Sequence, residues 1–287
     1  MSVIGLLTCQ RLPSLYEADQ PLIALFAAKG ITARPVIWND PAVRWEDYQY
    51  LVIRNTWDYY TQSDAFARWL QSMSDKDIPL FNPVTIVQQN LHKFYLQQFE
   101  RNGVTIIPTL FSSAAAPVSF GALREKQWEK IVIKPAISAG SYLTKTHSSS
   151  ELTKQNFEEA IAGSDWLIQP YLPEITERGE ISMIFFNGIF SHAVVKKPKE
   201  GDFRVQRQYG GKYQLFQPDN YLLQTGKKVI AQIPQTLLYA RVDGVMIGDE
   251  FHLMELELIE PDLYFEFDNA IRERFVESVV KQIAGNI

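Results

Sequence analysis

The chain has 287 residues, of which 46% are hydrophobic and 21% charged, so it is long enough for two or three packed units with a substantial core. The net charge of −5 excludes a general nucleic-acid-binding protein, which needs a basic surface to displace counterions from phosphate. Apolar runs stay shorter than the roughly 18 to 20 residues of a membrane-spanning helix, and a lone Cys9 cannot form an internal disulfide, so we expect a soluble, cytoplasmic protein that binds neither nucleic acid nor membrane.

The first part of the chain alternates strand and helix signals. Residues 3 to 9 read as a buried strand, apolar residues at helical spacing run from Ala18 to Lys29, and ARPVIW and YLVIRNTW repeat the strand pattern. This alternation predicts a small parallel α/β unit, which we place at residues 1–83.

A second unit is expected at residues 84–168. A helical apolar stripe runs from Val84 to Asn102 and is stopped by Gly103, after which VTIIPT reads as a strand. Further on, EKIVIKPA is a strand that leads into SAGSYLT, which we expect to be a mobile loop of small residues.

Two hairpins and a closing helix fill the rest of the chain, residues 169–287. In ISMIFFNGIFSHAVV the pair Asn187-Gly188 is a strong turn signal. A second hairpin, YARVDGVMIGDEFHLMELEL, follows, and the stretch from Asn269 to Ile283 has the pattern of a helix.

Lys134 lies in the otherwise apolar strand IVIKPA. A buried lysine is costly unless an anion meets it, and the small-residue loop that follows offers backbone N–H groups, so together they form a candidate phosphate cradle. The loop does not match the P-loop, which places lysine between glycine and Ser or Thr. The alternative is a solvated lysine at the end of a strand.

The second hairpin carries paired carboxylates. Glu255 and Glu257 alternate with apolar residues, so they lie on one strand face about 7 Å apart. A cation between them would relieve their repulsion, and ligands that are all oxygen suit magnesium. The opposite strand offers Arg241 and Asp243, also on one face. The alternative is a solvated strand face.

The register of this hairpin decides whether these groups meet. A two-residue turn would pair Asp243 with Met254 and send Asp243 away from Glu255, because a one-residue shift moves a side chain to the other face. A three-residue loop would place Asp243 opposite Glu255 and Arg241 opposite Glu257. We therefore predict the three-residue loop, although two-residue hairpin turns are commoner.

A basic cluster follows the first hairpin. It contains Lys196, Lys197, Lys199, Arg204 and Arg207 and runs into a Gly-Gly pair. An exposed charged loop is the simplest interpretation. Because the cluster adjoins an apolar hairpin strand, we expect the loop to cover a site.

Between roughly residues 90 and 261, these segments occur in an order that resembles the ATP-grasp superfamily, particularly the ribosomal-protein glutamate ligase and glutathione synthetase branch. The similar segments are NLHKFYLQQFERNGVTIIPT, IVIKPAISAGS, WLIQPYL, GEISMIFFNG, KEGDFRVQRQYGG and ARVDGVM with LMELELIEP. The resemblance implies an α/β fold in which an amino-terminal parallel unit is followed by two ATP-grasp subdomains that hold ATP between them.

The resemblance also implies roles for individual residues. The implied ATP contacts are Lys93, Lys134, Ser138, Gly140, Ser141, Gln169, Tyr171, Leu172 and Glu180, with Gln169 to Leu172 at the adenine and Glu180 facing the ribose. The implied catalytic residues are Lys196, Arg204 and Arg241, and the implied metal ligands are Asp243, Glu255 and Glu257. The cofactors would be ATP and one or two Mg²⁺ ions, with Mn²⁺ able to substitute. Glu257 stands where the family usually has asparagine, which leaves the number of ions open.

The implied activity is ligation of a carboxylate to an amine through an acyl phosphate, on a small amino-acid-like or peptide substrate, by a chain that could form a homodimer. Two alternatives stay open. LVIRNTWDYY resembles the matching phrase of the cyclo-ligase of cycloserine biosynthesis, which implies intramolecular cyclisation. A nucleotide-binding regulatory protein without catalysis is the other.

A substrate pocket is predicted at Arg54, Thr56, Trp57 and Asp58, because they follow a buried strand at the end where α/β units bind ligands. The alternative for Trp57 is packing between units. His192 alternates with apolar residues on a hairpin face and is therefore expected in the core and not as a base.

Overall fold

The computed structural model describes residues 2–285 of the chain. Within this range the strands form three sheets, one parallel and two antiparallel. None of the helices in the same range is both long and apolar enough to cross a membrane.

The amino-terminal sheet is parallel, as predicted. Its region contains β1 (Val3–Thr8), α1 (Leu22–Ala28), β2 (Thr32–Ile37), β3 (Tyr50–Asn55), α2 (Ser63–Asp75) and β4 (Leu80–Phe81). The strand order is β2-β1-β3-β4, and every pair runs parallel. The central strands β1 and β3 are nearly continuous apolar runs because both of their faces are covered.

The single helix expected from Val84 to Asn102 is wrong. The chain forms α3 (Val84–Asn90) and α4 (Tyr95–Arg101), separated by a short turn. Within that turn the backbone N–H of Lys93 donates to the carbonyl of Ala136 at 2.9 Å. This long-range bond holds Lys93 against the end of a strand, and the helical pattern of the sequence continues across the break.

The middle sheet is antiparallel. Its region contains β5 (Leu110–Ser112), α5 (Phe120–Glu125), β6 (Lys130–Pro135), β7 (Lys145–Ser148), α6 (Lys154–Ala160) and β8 (Trp166–Pro170), and the strand order is β5-β8-β6-β7. The strand expected at VTIIPT does not join this sheet. Instead, Leu253 donates to Thr105 at 2.9 Å and accepts from Ile107 at 3.1 Å, so this segment lies along the third sheet.

The third sheet contains both predicted hairpins. Its region comprises α7 (Pro173–Glu177), β9 (Glu180–Phe186), β10 (Ile189–Lys197), β11 (Lys212–Phe216), α8 (Asn220–Ile230), β12 (Tyr239–Ile247), β13 (Glu250–Glu257) and the closing helix α9 (Asn269–Ile283). The strand order is β11-β10-β9-β12-β13, all antiparallel. Asn187 and Gly188 have φ angles of 50° and 72°, the left-handed conformation that the β9–β10 turn requires.

The register of the β12–β13 hairpin differs from the prediction in its cause. The turn has two residues, since Ile247 lies opposite Glu250, so the predicted three-residue loop is wrong. Farther along, the register shifts between Asp243 and Gly244, and Met254 becomes an extra residue in β13. This β-bulge places Asp243 opposite Glu255, so the predicted pairing is confirmed through a different device.

The closing helix α9 joins the parallel sheet to the third sheet. Phe275 of α9 belongs to one buried cluster with Phe26 of α1, Val52 of β3 and Ile184 of β9. The two ends of the chain therefore share a core. The unit boundaries at residues 83 and 168 stay predictions.

His192 lies in the core, as predicted. It is 8% exposed, and its Nε2 lies 3.0 Å from the carbonyl oxygen of Leu263. Burial lowers the pKa of its imidazole to about 4, which suits a neutral packing residue.

Candidate functional site

A cavity of about 850 Å³ opens where the three sheets meet. The predicted nucleotide, catalytic and metal residues all line it: Lys93, Lys134, Ser138, Gly140, Ser141, Gln169, Tyr171, Leu172, Glu180, Lys196, Arg204, Arg241, Asp243, Glu255 and Glu257. Residues from separate segments of the sequence thus line one cavity. Their individual roles stay predictions.

Two lysines and a glutamate form one part of the wall. Lys93 is 5% exposed, hydrogen-bonds to the carbonyl oxygen of Ser138 and lies 3.1 Å from a carboxylate oxygen of Glu255. Burial lowers the pKa of Lys134, and the nearby Glu255 opposes this effect. The ammonium groups of Lys93 and Lys134, with the carboxylate of Glu255 near both, leave a positive site that favours an anionic ligand.

A second part of the wall is a network of linked ion pairs between lysine, arginine and carboxylate side chains. Lys196 pairs with Glu180 and lies 3.7 Å from Asp243, while Arg241 binds Asp243 at 2.9 Å and also pairs with Glu257. Burial would raise the pKa of Asp243, but Arg241 and Lys196 outweigh it and hold this pKa below its usual value. Glu180, the predicted ribose contact, is therefore engaged with Lys196.

The three predicted metal ligands share a face but are not gathered around one point. In the part of the chain that the structure describes, no group of three His, Cys, Asp or Glu side chains is placed to hold a metal ion. Asp243 and Glu257 are paired with Arg241, and Glu255 with Lys93. Their oxygen donors fit Mg²⁺. Burial, with Asp243 and Glu255 nearby, raises the pKa of Glu257 to about 8, although Arg241 opposes this effect. Their role as ligands stays a prediction.

The small-residue loop lies beside the basic loop. Gly140 and Ser141 have φ angles of 58° and 62°, and the side-chain amide of Gln208 donates to the carbonyl of Gly140 at 3.2 Å. In the basic loop, Arg204 binds Asp202 at 2.8 Å and stacks over Tyr209 at 3.6 Å. The basic loop therefore forms part of the cavity wall, as the sequence predicts for a covering loop.

The predicted adenine segment begins within β8, at Gln169, and continues past its end. The side chain of Gln169 donates to the hydroxyl of Thr109 at 2.8 Å, which fixes its orientation. The backbone N–H of Tyr171 donates to the backbone carbonyl of Lys130 at 2.8 Å, so this N–H is already hydrogen-bonded within the protein. The ammonium of Lys130 also lies 4.0 Å from the centre of the Tyr171 ring.

Of the four predicted substrate residues, the structure brings only Trp57 to the cavity. Arg54 is fully buried and binds Asp19 at 2.7 Å, so it does not face the cavity. Thr56 is also fully buried, and Asp58 accepts a hydrogen bond from Trp38 at 2.8 Å. The tendency of α/β units to bind ligands at the ends of their strands identified the right segment. The side chains of Arg54, Thr56 and Asp58, however, do not line the cavity.

Several cavity residues were missed by the sequence reasoning: Arg11, Tyr16, Tyr59, Glu260 and Asp262. A signal existed for some of them. Arg11 and Tyr16 follow β1, at the same end of the sheet that pointed to Trp57, and Glu260 lies within the quoted segment LMELELIEP.

Comparison with known proteins identifies the fold. Residues 4–82 match the family model described as "D-cycloserine synthetase DcsG, N-terminal domain". The chain is 27% identical to the cycloserine biosynthesis protein DcsG of Streptomyces lavendulae over 99% of both chains. The crystal structure of D-cycloserine synthetase DcsG superposes with a TM-score of 0.87 at 23% identity, covering 98% of this chain and 99% of that one. The ATP-grasp ligase PsnB, in a complex with Mg and ADP, gives a TM-score of 0.69 at 12% identity, covering 97% and 98%.

The chain has the ATP-grasp fold. The resemblance inferred from the order of its motifs is therefore confirmed, and so is the expected α/β architecture. The two solved structures are named a synthetase and a ligase, which agrees with the ATP-dependent ligase interpretation. The family model matches only the amino-terminal region, where the phrase LVIRNTWDYY lies.

Proposed function

We propose that this ATP-grasp protein joins a carboxylate to an amine through an acyl phosphate, on a small amino-acid-like or peptide substrate. The observation that carries the proposal is the cavity itself. Lys93, Lys134, Arg241, Asp243 and Glu255 all line this cavity, although they come from separate parts of the chain. Cationic side chains interleaved with carboxylates suit a nucleoside triphosphate with its metal ion.

In the proposed reaction, an oxygen of the substrate carboxylate attacks the γ-phosphorus of ATP, and ADP leaves. The amine, once it has given up its ammonium proton to water, attacks the carbonyl carbon with its lone pair. A C–N bond forms, inorganic phosphate departs with the C–O electron pair, and the nitrogen loses a second proton to water to give the amide. Lys93, Lys134 and Arg241 are proposed to stabilise the charge on the transferred phosphoryl group. Bound Mg²⁺, held by Asp243, Glu255 and Glu257, would neutralise phosphate charge.

Intramolecular cyclisation is the second candidate. The 27% identity to a cycloserine biosynthesis protein extends over 99% of both chains and favours it. In that case the carboxylate and the amine belong to one molecule. A regulatory module without catalysis is less well supported, because a protein that only binds nucleotide does not need both a complete set of phosphate-binding cations and a set of metal-binding carboxylates.

The decisive experiment is a phosphate-release screen. The full chain is incubated with ATP, Mg²⁺ and a panel of amino acids and small peptides, and a parallel series contains Mn²⁺. We expect release of ADP and phosphate that depends on the substrate, and mass spectrometry of the product separates ligation from cyclisation. Nucleotide binding without turnover across the panel would favour the regulatory module.

Replacing Lys134 by alanine should abolish most of the thermal stabilisation by MgATP. A ligand at 100 times its Kd stabilises the folded state by about 2.7 kcal/mol, and loss of a phosphate contact removes much of that effect. Differential scanning fluorimetry of the wild type and the variant measures the shift. The matched control is Lys145→Ala, at an exposed position of β7 after the same loop. An undiminished shift in the Lys134 variant would remove this lysine from the nucleotide site.

A further inference from the structure

Two buried polar groups on the amino-terminal side of the cavity have no partner. Glu260 is 8% exposed and Tyr59 is 4% exposed, and both line the cavity. Within residues 2–285, neither the carboxylate of Glu260 nor the hydroxyl of Tyr59 makes a hydrogen bond or ion pair, so both groups are available to a molecule in the cavity. The indole N–H of Trp57 donates to the backbone carbonyl of Glu260 at 3.0 Å and fixes its position.

Glu260 differs in this respect from the other carboxylates on the wall. Glu255 lies 3.1 Å from Lys93, and Asp243 lies 2.9 Å from Arg241. Asp262 accepts from the N–H of Tyr264 at 2.9 Å and lies 3.7 Å from Arg207.

Among the cavity carboxylates that the structure describes, Glu260 thus stands out as lacking a bound cation. Burial, with Glu257 nearby, raises the pKa of Glu260 well above its ordinary value. A buried carboxylate without a partner is costly, so a cationic ligand would be strongly favoured.

The surroundings of Glu260 suit an organic cation better than a metal ion. A metal ion requires several oxygen ligands around one point. Among the described residues no three acidic or histidine side chains converge around Glu260, and the proposed function assigns the neighbouring Asp243, Glu255 and Glu257 to the metal ion of the nucleotide. Two aromatic residues line the same cavity: Trp57 bonds to the backbone carbonyl of Glu260, and the ring of Tyr16 packs against Trp57 with their centroids 5.2 Å apart. An alkylammonium can donate to a carboxylate and a hydroxyl and lie against such rings.

We infer that Glu260 and Tyr59 form a subsite for a protonated primary amine of the substrate. The inference rests on the proposed function, because it concerns the substrate of the same cavity. One ammonium hydrogen would go to the carboxylate of Glu260 and a second to the oxygen of Tyr59. Glu260 follows β13, whose Glu255 and Glu257 are the proposed metal ligands, so the bound amine would be near the phosphoryl end of the nucleotide.

The first experiment tests the subsite without the substrate. The full chain with MgADP is heated in the presence of n-propylamine hydrochloride, n-propanol or propionate at neutral pH. We expect n-propylamine to raise Tm in a saturable way and the two other probes to have no such effect. Glu260→Gln should abolish the propylamine shift, whereas Glu277→Gln, on the exposed face of α9, should keep it. Equal responses to propylamine and propanol, or an undiminished shift in Glu260→Gln, would overturn the inference.

The second experiment uses the amine-bearing substrate found by the phosphate-release screen. Glu260→Gln should raise KM for that substrate on the order of 10- to 100-fold, and Tyr59→Phe by a smaller factor of about 2 to 10, consistent with charged and neutral hydrogen bonds. KM for ATP and the affinity for Mg²⁺ should not change in either variant. A loss of Mg²⁺ affinity in Glu260→Gln would show a metal ligand and overturn the amine subsite. If the wild type turns over nothing, the proposed function fails while the propylamine experiment still decides the subsite.

Discussion

Replacing Arg54 by alanine is expected to destabilise the protein by about 3 to 5 kcal/mol, because it leaves a buried carboxylate without its partner. Arg54 is fully buried, its Nε lies 2.7 Å from Asp19, and Asp19 is 3% exposed. The guanidinium also donates to the carbonyl of Pro261 at 3.3 Å and lies 5.4 Å from the centre of the Phe265 ring. Arg54 therefore ties the parallel sheet to the segment that follows β13.

Urea unfolding of the single variant and of two companions measures this effect. Arg68→Ala removes an exposed arginine from α2 and should change stability by less than about 0.5 kcal/mol. The double variant Arg54→Met with Asp19→Asn removes both charges and should recover much of the loss, since replacing both partners of a buried pair is often nearly neutral. A loss below about 1 kcal/mol in Arg54→Ala would show that Asp19 does not depend on this arginine.

The faces of the strands could be predicted from the sequence because side chains alternate with a period of two. That rule placed Glu255 with Glu257 and Arg241 with Asp243, and all four line the cavity. The order of the motifs supplied the remaining wall residues. The local sequence pattern was sufficient to place a side chain wherever its own strand decides the face on which it lies.

The errors arose where distant contacts decide the outcome. The break in the helix at Lys93 depends on the carbonyl of Ala136, and the segment around Ile107 is held by Leu253. The orientation of Arg54 depends on Asp19 and on the segment after β13. No local periodicity reports such contacts, so the sequence identifies the segment but not the direction of the side chain.

The second large effect is expected at Gly244, the residue beside the β-bulge. A Cβ at this position would lie 2.3 Å from the ring of Phe251 and 2.4 Å from the backbone carbonyl of His252. The ring could move, but the carbonyl belongs to the neighbouring strand. Gly244→Ala should therefore cost about 1 to 3 kcal/mol or more through overpacking.

The same substitution should also weaken nucleotide binding. Relief of the clash requires the two strands to separate or to slip beside the register shift, and this shift is what sets Asp243 opposite Glu255. Because a one-residue slip sends a side chain to the other face of the sheet, Asp243 would no longer share a face with Glu255 and Glu257. We expect the thermal shift produced by MgATP to fall in Gly244→Ala even at temperatures where the variant is folded.

The controls separate the ring clash from the backbone clash. Gly121→Ala lies in α5 with its nearest contact at 3.8 Å, so it should be neutral or stabilise the protein by about 0.5 to 1 kcal/mol. Gly244→Ala combined with Phe251→Leu removes the ring contact but keeps the contact with the His252 carbonyl, so it should recover only part of the stability and none of the MgATP shift. If the single variant were as stable as the wild type and kept the full shift, close strand packing at Gly244 would not be what positions Asp243 against Glu255.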